Sequence, residues 1–74
     1  MDKLEKMIIG AEIDVEQSKN NLQASIKKFI ELLQEQDITD QAYYQSYIAQ
    51  AEDVRRLADK VIVAKTVHKA LTTV

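Results

Sequence analysis

The sequence predicts an all-α fold, an antiparallel two-helix hairpin that is coiled-coil-like and contains layers of small serine and alanine side chains. The 74 residues contain no proline and one glycine, which favours long helices because these residues punctuate strands and turns. Apolar residues recur at helical spacing along two long segments, and a short polar stretch separates the segments. We expect one helical-hairpin domain, 1–74, with helix one at about 2–36, a turn at about 37–40 and helix two at about 40–72.

Helix one is predicted from a seven-residue repeat of apolar and small residues. One position of the repeat holds Ile8, Val15, Leu22 and Phe29, and the other holds Leu4, Ala11, Ser18, Ser25 and Leu32. A repeat with two apolar positions in seven forms the seam of a helix that packs against another helix. Gly10 lies off this seam and costs a helix about 1 kcal/mol relative to alanine.

The turn is predicted at the polar stretch Gln36-Asp37-Ile38-Thr39-Asp40. Thr39 fits the N-cap of helix two, because its hydroxyl can accept a hydrogen bond from a free backbone N–H. Ile38 would then contact Tyr43 in a hydrophobic staple. A turn this short makes the two helices antiparallel neighbours.

Helix two carries a second seven-residue repeat. One position holds Tyr47, Val54, Val61 and His68, and the other holds Tyr44, Ala51, Ala58, Lys65 and Thr72. A further stripe interleaves with the first position: Tyr43, Gln50, Leu57, Ala64 and Leu71. β-Branched residues are frequent between Val61 and Val74, and they lower the helical preference of that segment.

An antiparallel turn centred near Ile38 fixes which residues of the two helices lie opposite each other. The predicted seam pairs Val15, Ser18, Leu22, Ser25 and Phe29 of helix one with Val61, Ala58, Val54, Ala51 and Tyr47 of helix two. Small pairs let the backbones approach closely, while large pairs fill the gaps between them. The acidic start of helix one also meets the basic end of helix two, where the helix dipole favours cations.

The predicted hairpin leaves apolar residues outside its seam. The expected oligomer or partner interface consists of Ile9, Ile13, Ile26, Leu33, Leu57, Ile62, Val63, Val67 and Leu71. A chain this short buries too little surface to stabilise itself easily, and it has no cysteine for a disulfide, so oligomerisation is the expected source of stability. We expect a homodimer formed as a four-helix bundle. The alternative is a docking surface for a different protein.

No residue pattern in the sequence indicates a catalytic, cofactor or metal site. The single histidine, His68, falls on the seam, and the chain lacks the further histidines or cysteines that a zinc site requires. Carboxylates spaced four apart, such as Glu12 and Glu16, fit a solvated helix face. There is no glycine-rich phosphate loop. We therefore expect a non-enzymatic protein with no cofactor, no metal and no small-molecule substrate.

Charge gives limited support to a nucleic-acid interaction. The net charge is −2, whereas nucleic-acid-binding domains are usually basic. The candidate contacts are Lys27, Lys28, Arg55 and Arg56. Tyrosines at the start of helix two could stack on bases. Glu52 and Asp59, each four residues from an arginine, neutralise much of the basic patch.

In helix count and repeat, the sequence resembles the small repressor-of-primer plasmid proteins, which are hairpins that dimerise into four-helix bundles and bind paired RNA loops. The resemblance implies the same bundle, and no motif is shared. The secreted Trp-x-Gly hairpins require tryptophan, which this chain lacks. Sporulation-type phosphatases carry a Ser-Gln-Glu-Leu-Asp motif where this chain has Ala49-Gln50-Ala51-Glu52-Asp53. No family is therefore assigned.

The favoured hypothesis is a non-enzymatic protein–protein interaction or oligomerisation module, such as a small inhibitor or assembly factor. Its motivation is a surplus of apolar surface without reaction chemistry. An RNA- or DNA-binding helical bundle and a structural subunit of a larger assembly are the alternatives. We expect a soluble cytoplasmic protein, because the first ten residues lack a signal-peptide core and no apolar run approaches about 18 residues.

Overall fold

The chain forms two long α-helices that pack against each other. The computed structural model describes residues 2–35 and 41–73, with helix α1 at Lys3–Glu35 and helix α2 at Gln41–Thr72. The hairpin measures 56 × 15 × 13 Å. The predicted all-α antiparallel hairpin is confirmed, since contacts join the start of one helix to the end of the other and the middle of each to the middle of its neighbour.

A side-chain cap fixes the start of α1. The Oδ1 atom of Asp2 accepts a hydrogen bond from the backbone N–H of Leu4 at 2.6 Å, and the Asp2 carbonyl accepts one from the N–H of Lys6 at 3.2 Å. Aspartate is a preferred N-cap residue because its carboxylate satisfies a backbone donor that the helix leaves free. The corresponding prediction for α2, a Thr39 cap with an Ile38 staple, lies outside the described residues.

The β-branched end of α2 remains helical as far as Thr72. Threonine hydroxyls in this segment donate to carbonyls one turn earlier, from Thr66 to Ile62 at 2.8 Å and from Thr72 to His68 at 3.0 Å. This bond is the usual way in which a helix accommodates threonine, whose hydroxyl would otherwise compete for the backbone. The helix therefore continues through this segment despite the low helical preference of its β-branched residues.

The seam of α1 follows the seven-residue repeat in the sequence. The buried or half-buried side chains along this helix are Ile8, Ala11, Val15, Ser18, Leu22, Ser25, Phe29 and Leu32. Both positions of the repeat thus face α2, and Leu4 near the N-terminus is exposed. The spacing of three and four residues keeps one narrow stripe of the helix against its partner.

The seam of α2 is rotated relative to the predicted one. Its buried or half-buried repeat is Tyr47, Gln50, Val54, Leu57, Val61, Ala64, His68 and Leu71. Ala51, predicted to face Ser25, is exposed, and Ala58 is half-buried. Leu57 and Leu71, predicted on an outer surface, line the seam instead. Burying two leucines removes more apolar area from water than burying the alanine, lysine and threonine of the predicted stripe.

The core between the two helices is thin. Among the described residues, the buried apolar side chains are Ala11, Tyr47 and Val61, and none of the large side chains is fully buried. Two packed helices form a single layer, and a single layer has no interior of its own. Much of the apolar content of the chain therefore lies on its surface.

Candidate interaction surfaces

A polar cluster at mid-seam joins the two helices. The amide Nε2 of Gln50 donates hydrogen bonds to the Ser25 hydroxyl at 2.8 Å and to the Ser25 carbonyl at 3.2 Å. The Ser25 hydroxyl donates in turn to Oδ2 of Asp53 at 2.6 Å. Ser25 and Gln50 are both buried, and buried polar groups are stable only when they are bonded in this way. The cluster therefore fixes which side of α2 faces α1.

Asp53 links this cluster to solvent. Its Oδ1 atom lies 2.7 Å from Nη2 of Arg56, one helical turn further along. The hydrogen bond from Ser25, followed by the hydrogen bond and the positive charge of Arg56 and the charge of Lys28, holds the pKa of the Asp53 carboxyl below its ordinary value. Partial desolvation of the carboxylate opposes this shift.

The arrangement around Ser25 is one of fixed hydrogen bonds. Its hydroxyl proton is directed at Asp53, and its oxygen accepts from Gln50. The histidine of the chain, His68, lies far from this serine and aspartate, because it follows Asp53 by 15 residues, which is roughly 22 Å along the helix axis. The interaction made by these residues is thus a polar layer across the seam, comparable to the polar positions that set register in coiled coils.

One long side of the hairpin carries an open groove, which we term the groove face. It consists of two adjoining hollows of about 920 and 940 Å³ that share Asn21, Arg56 and Lys60. The other residues that define this face are Asp14, Gln17, Ala24 and Lys28 of α1 and Ser46, Ala49, Asp53, Val63 and Val67 of α2. Its middle is charged, and valines lie toward the end where α2 finishes.

The opposite long side is apolar near the connection between the helices, and we term it the isoleucine face. Its large side chains are Ile26, Ile30 and Leu33 of α1 and Tyr44, Ile48 and Ile62 of α2, with exposed fractions from 37% to 62%. In α1, Ile26, Ile30 and Leu33 are separated by four and three residues. In α2, Ile48 follows Tyr44 by four residues, and Ile62 lies about four helical turns further along. The residues of each helix therefore share one stripe. Because Ile26 and Leu33 directly follow seam residues, whereas Lys28 and Asp53 directly precede them, the stripe flanks the seam on the side away from the groove.

The open end of the hairpin is charged along the isoleucine face. Nε2 of His68 lies 3.5 Å from Oε1 of Glu12, which is too long for a strong hydrogen bond, and this nitrogen is shielded from solvent without a hydrogen-bond partner. The contact becomes an ion pair when the imidazole is protonated. It joins the acidic start of α1 to the basic end of α2.

The structure separates the residues that the sequence grouped as one interface. Ile26, Leu33 and Ile62 lie on the isoleucine face, whereas Val63 and Val67 line the groove. Ile9 and Ile13 are exposed near the start of α1. The predicted interface residues are therefore divided between opposite sides of the hairpin.

The basic residues proposed for nucleic-acid contact are also dispersed. Arg56 is engaged with Asp53, and Lys28 lies on the groove face. Lys27 borders a shallow hollow of about 400 Å³ on the outer surface of α1, beside Ile26 and Ile30. Arg55 lines the groove with acidic neighbours on the same helix. Lys27 thus borders the isoleucine face, which also carries Tyr44, whereas Lys28 and Arg56 lie on the groove face, so the cations do not form one surface.

Several residues of these surfaces were not predicted from the sequence. Gln50 and Asp53 were not recognised as a polar cluster, although their separation by three residues places them on one side of a helix. Ile30 and Ile48 were not included in the predicted interface, although each follows another apolar residue by one turn, Ile26 and Tyr44. That spacing is the signal that could have identified them.

Neither described helix contains a stretch long and apolar enough to cross a membrane. Within residues 2–35 and 41–73, no three acidic, histidine or cysteine side chains are arranged to hold a metal ion. No family model, curated protein or solved structure matches the chain.

Proposed function

We propose that this chain is a non-enzymatic interaction module that self-associates as a homodimer and presents its remaining surface to another protein. The observation that carries the proposal is the amount of large apolar surface left uncovered by the hairpin. Among the residues described, thirteen large apolar side chains are exposed, whereas the buried large ones are Tyr47 and Val61. Exposed apolar patches, such as the one that contains Ile26, Ile30 and Leu33, mark protein–protein contacts.

The exposed area has the size that a dimer interface requires. The chain exposes 5771 Å², whereas a compact folded protein of 8.5 kDa exposes roughly 4,650 Å². The excess of roughly 1,100 Å² exceeds the roughly 800 Å² that each partner buries in a standard interface. Packing a second hairpin against the first supports stability because it converts one layer of helices into two layers with an interior.

The polar groups of the chain support an interaction role rather than a reaction. Ser25, Gln50 and Asp53 bond to one another across the seam, and Arg56 is paired with Asp53. Their hydrogen-bonding capacity is directed inward, where it orients the helices. The residues outside the seam include the exposed large apolar side chains on which the proposed recognition depends.

Sedimentation equilibrium of the purified chain tests the proposal. We expect a mass near twice the chain mass of 8.5 kDa at micromolar concentration, falling toward the chain mass on dilution. Circular dichroism on the same samples should show that helix content falls as the dimer dissociates, because burial stabilises the helices. A fully helical species with the mass of one chain across this range would refute the proposal.

The part of the proposal that concerns another protein is tested on the groove face. Val63→Asp/Val67→Asp places two charges on the apolar end of the groove. We expect this variant to keep the dimer mass and the helix content while losing a protein that the unmodified chain retains from its native host. Loss of the dimer mass, or unchanged retention, would contradict a partner site in the groove.

A further inference from the structure

We propose that the isoleucine face is the surface on which two copies of this chain meet, with the connections of both hairpins at the same end of the bundle. The inference rests on the proposed self-association and specifies its surface and its geometry. In this arrangement α1 of one copy packs against both its own α2 and the α2 of the partner copy. Every neighbouring pair of helices is then antiparallel, as in an up-down four-helix bundle.

Both helices contribute large apolar side chains at the same height along the hairpin. Ile26, Ile30 and Leu33 follow one stripe of α1, and Tyr44 and Ile48 continue the surface across α2. Ala51, exposed on the same stripe of α2, leaves room between them for a side chain of a second copy. A stripe flanking the seam on both helices is the surface that a second layer covers.

The opposite side of the hairpin, the groove face, is less suited to contact with a second copy. The groove face has Asp53 paired with Arg56 in its middle, with Lys28 and Lys60 beside them. Covering this face with a second copy would remove several charges from water, and desolvated charges are costly unless each gains a well-placed partner. The apolar half of the isoleucine face carries fewer charges, with Arg55 directly after the seam residue Val54 and Lys27 and Glu31 at its border, so it is the side that a second hairpin covers at lower cost.

The charges at the open end of the hairpin select the orientation of the second copy. On the same side as the isoleucine face, the flanking positions of α1 near its N-terminus hold Glu5, Glu12 and Glu16, with Lys19 closer to the middle, and those of α2 hold Lys65 and Lys69. When the connections of both hairpins lie at the same end, the acidic stripe of one copy faces the basic stripe of the other. When they lie at opposite ends, the open ends extend beyond the partner and gain no such contact. Complementary charge fixes orientation more than it adds affinity.

A two-fold axis satisfies both patterns at once. An isologous interface requires each surface to be complementary to itself. Rotation about an axis parallel to the helices places Ile30 of one copy near Ile48 of the other and keeps the carboxylates near the lysines. This two-fold rotation therefore places the apolar halves of the two copies against each other and the carboxylates of each copy near the lysines of the other.

Disulfide cross-linking tests the face and the orientation together, because the chain has no native cysteine. Chains with Ile30→Cys and chains with Ile48→Cys are unfolded, mixed in equal amounts, refolded and oxidised. We expect the mixed product, joining position 30 to position 48, to exceed either product formed from one variant alone. Val63→Cys, at a position on the groove face that is more exposed than either isoleucine, should give little product.

Each other cross-linking outcome overturns a stated part of the inference. A dominant product joining two Ile30→Cys chains would place the connections at opposite ends and overturn the orientation. Efficient cross-linking through Val63→Cys would move the interface to the groove face and overturn the inference, while self-association itself would stand. A chain that sediments as a monomer would refute the proposed function as well, so the two failures are distinguishable.

Apolar-to-alanine substitutions give a second measurement that does not depend on oxidation. Ile30→Ala/Ile48→Ala keeps good helix formers at both positions and should weaken dimerisation by about tenfold or more, because each substitution removes several buried methyl and methylene groups. Val63→Ala/Val67→Ala is the matched control on the groove face and should leave the dissociation constant within about threefold. Equal effects of the two pairs would overturn the assignment of the face.

Discussion

The two long sides of the hairpin are built from the same two helices and distribute apolar and charged residues in opposite ways. The isoleucine face is apolar near the connection between the helices and charged at the open end. The groove face is charged in its middle and has Val63 and Val67 toward the open end. An apolar composition spread nearly all round a helix can therefore encode two separate surfaces, each at its own position along the hairpin.

The largest expected effect comes from two adjacent residues that lie on opposite faces. Ile62 and Val63 are exposed to almost the same extent, 62% and 61%. In an isolated hairpin, an aspartate at either position would have a similar small effect. In the dimer, Ile62→Asp should lower stability by roughly 2 kcal/mol or more, because it brings a charge to the buried interface, whereas Val63→Asp should change it by less than about 0.5 kcal/mol.

Thermal unfolding followed by circular dichroism measures this pair, at several protein concentrations. The melting temperature of the unmodified chain and of Val63→Asp should rise with concentration, since association stabilises the folded state by mass action. Ile62→Asp should melt lower and shift toward its parent at high concentration. Identical melting curves for the two variants would remove the distinction between the faces.

Gln50 lies between the two faces, and its replacement should have the next largest effect. Gln50→Ala removes a buried side chain and its bonds to Ser25, so we expect a loss of about 1 to 2 kcal/mol in the free energy of unfolding. Gln50→Leu keeps the volume and should be less harmful. Chemical denaturation measures both, with Gln45→Ala, an exposed glutamine of the same helix, as the control. No effect of Gln50→Ala would contradict the role given to the polar layer.

Gly10 provides a measure of helix propensity that is separate from packing. A Cβ added at Gly10 meets no atom within 4 Å, so Gly10→Ala should stabilise α1 by up to about 1 kcal/mol. Ala24→Gly, at an exposed position of the same helix that lines the groove, should lower stability by a similar amount. If Gly10→Ala destabilised the chain, this position would contact something that the hairpin alone does not show.

The smallest effect concerns the carboxylate of the groove face and appears in acid. Because the pKa of Asp53 is lower in the folded chain, the unfolded chain takes up the proton first as the pH falls below about 4. The contribution of Asp53 to stability is therefore present above that range and is lost as the pH falls through the folded-state pKa. Asp53→Asn should flatten this part of the stability curve, measured by denaturation between about pH 2 and pH 6.

The control for Asp53 is another carboxylate of the groove. Asp59→Asn changes an exposed residue of the same helix and leaves the bonds of Ser25 to Asp53 in place. It should therefore retain the decline in stability that Asp53 contributes in acid. A steeper decline for Asp53→Asn than for the unmodified chain would contradict the sign of the shift.

The seam of α1 could be predicted from the sequence because a single stripe of this helix fits the seven-residue repeat. Along α2 two stripes share Tyr47, Val54 and Val61, and either could complete the repeat. The predicted pairing of Ser25 with Ala51 favoured the stripe that contains Ala51, whereas the structure buries the stripe that contains Leu57. That prediction gave close approach of the two backbones more weight than the burial of Leu57. The choice between two such stripes is made by tertiary packing, which periodicity alone does not report.

The polar cluster could not be predicted for a related reason. A glutamine in a seam is usually discounted, and its value depends on whether a partner lies within about 3 Å across the interface. That partner, Ser25, becomes available only once α2 has the rotation that the structure shows. The two faces depend on the same rotation, because it decides which apolar residues remain outside the seam.

The most direct measurement of the central claim is an isotope-filtered nuclear Overhauser experiment on a dimer made from labelled and unlabelled chains. It detects only proton pairs that belong to different copies. We expect contacts between methyl groups of Ile30 in one copy and Ile48 in the other. Contacts arising from Val63 and Val67, with none from Ile30 or Ile48, would contradict it.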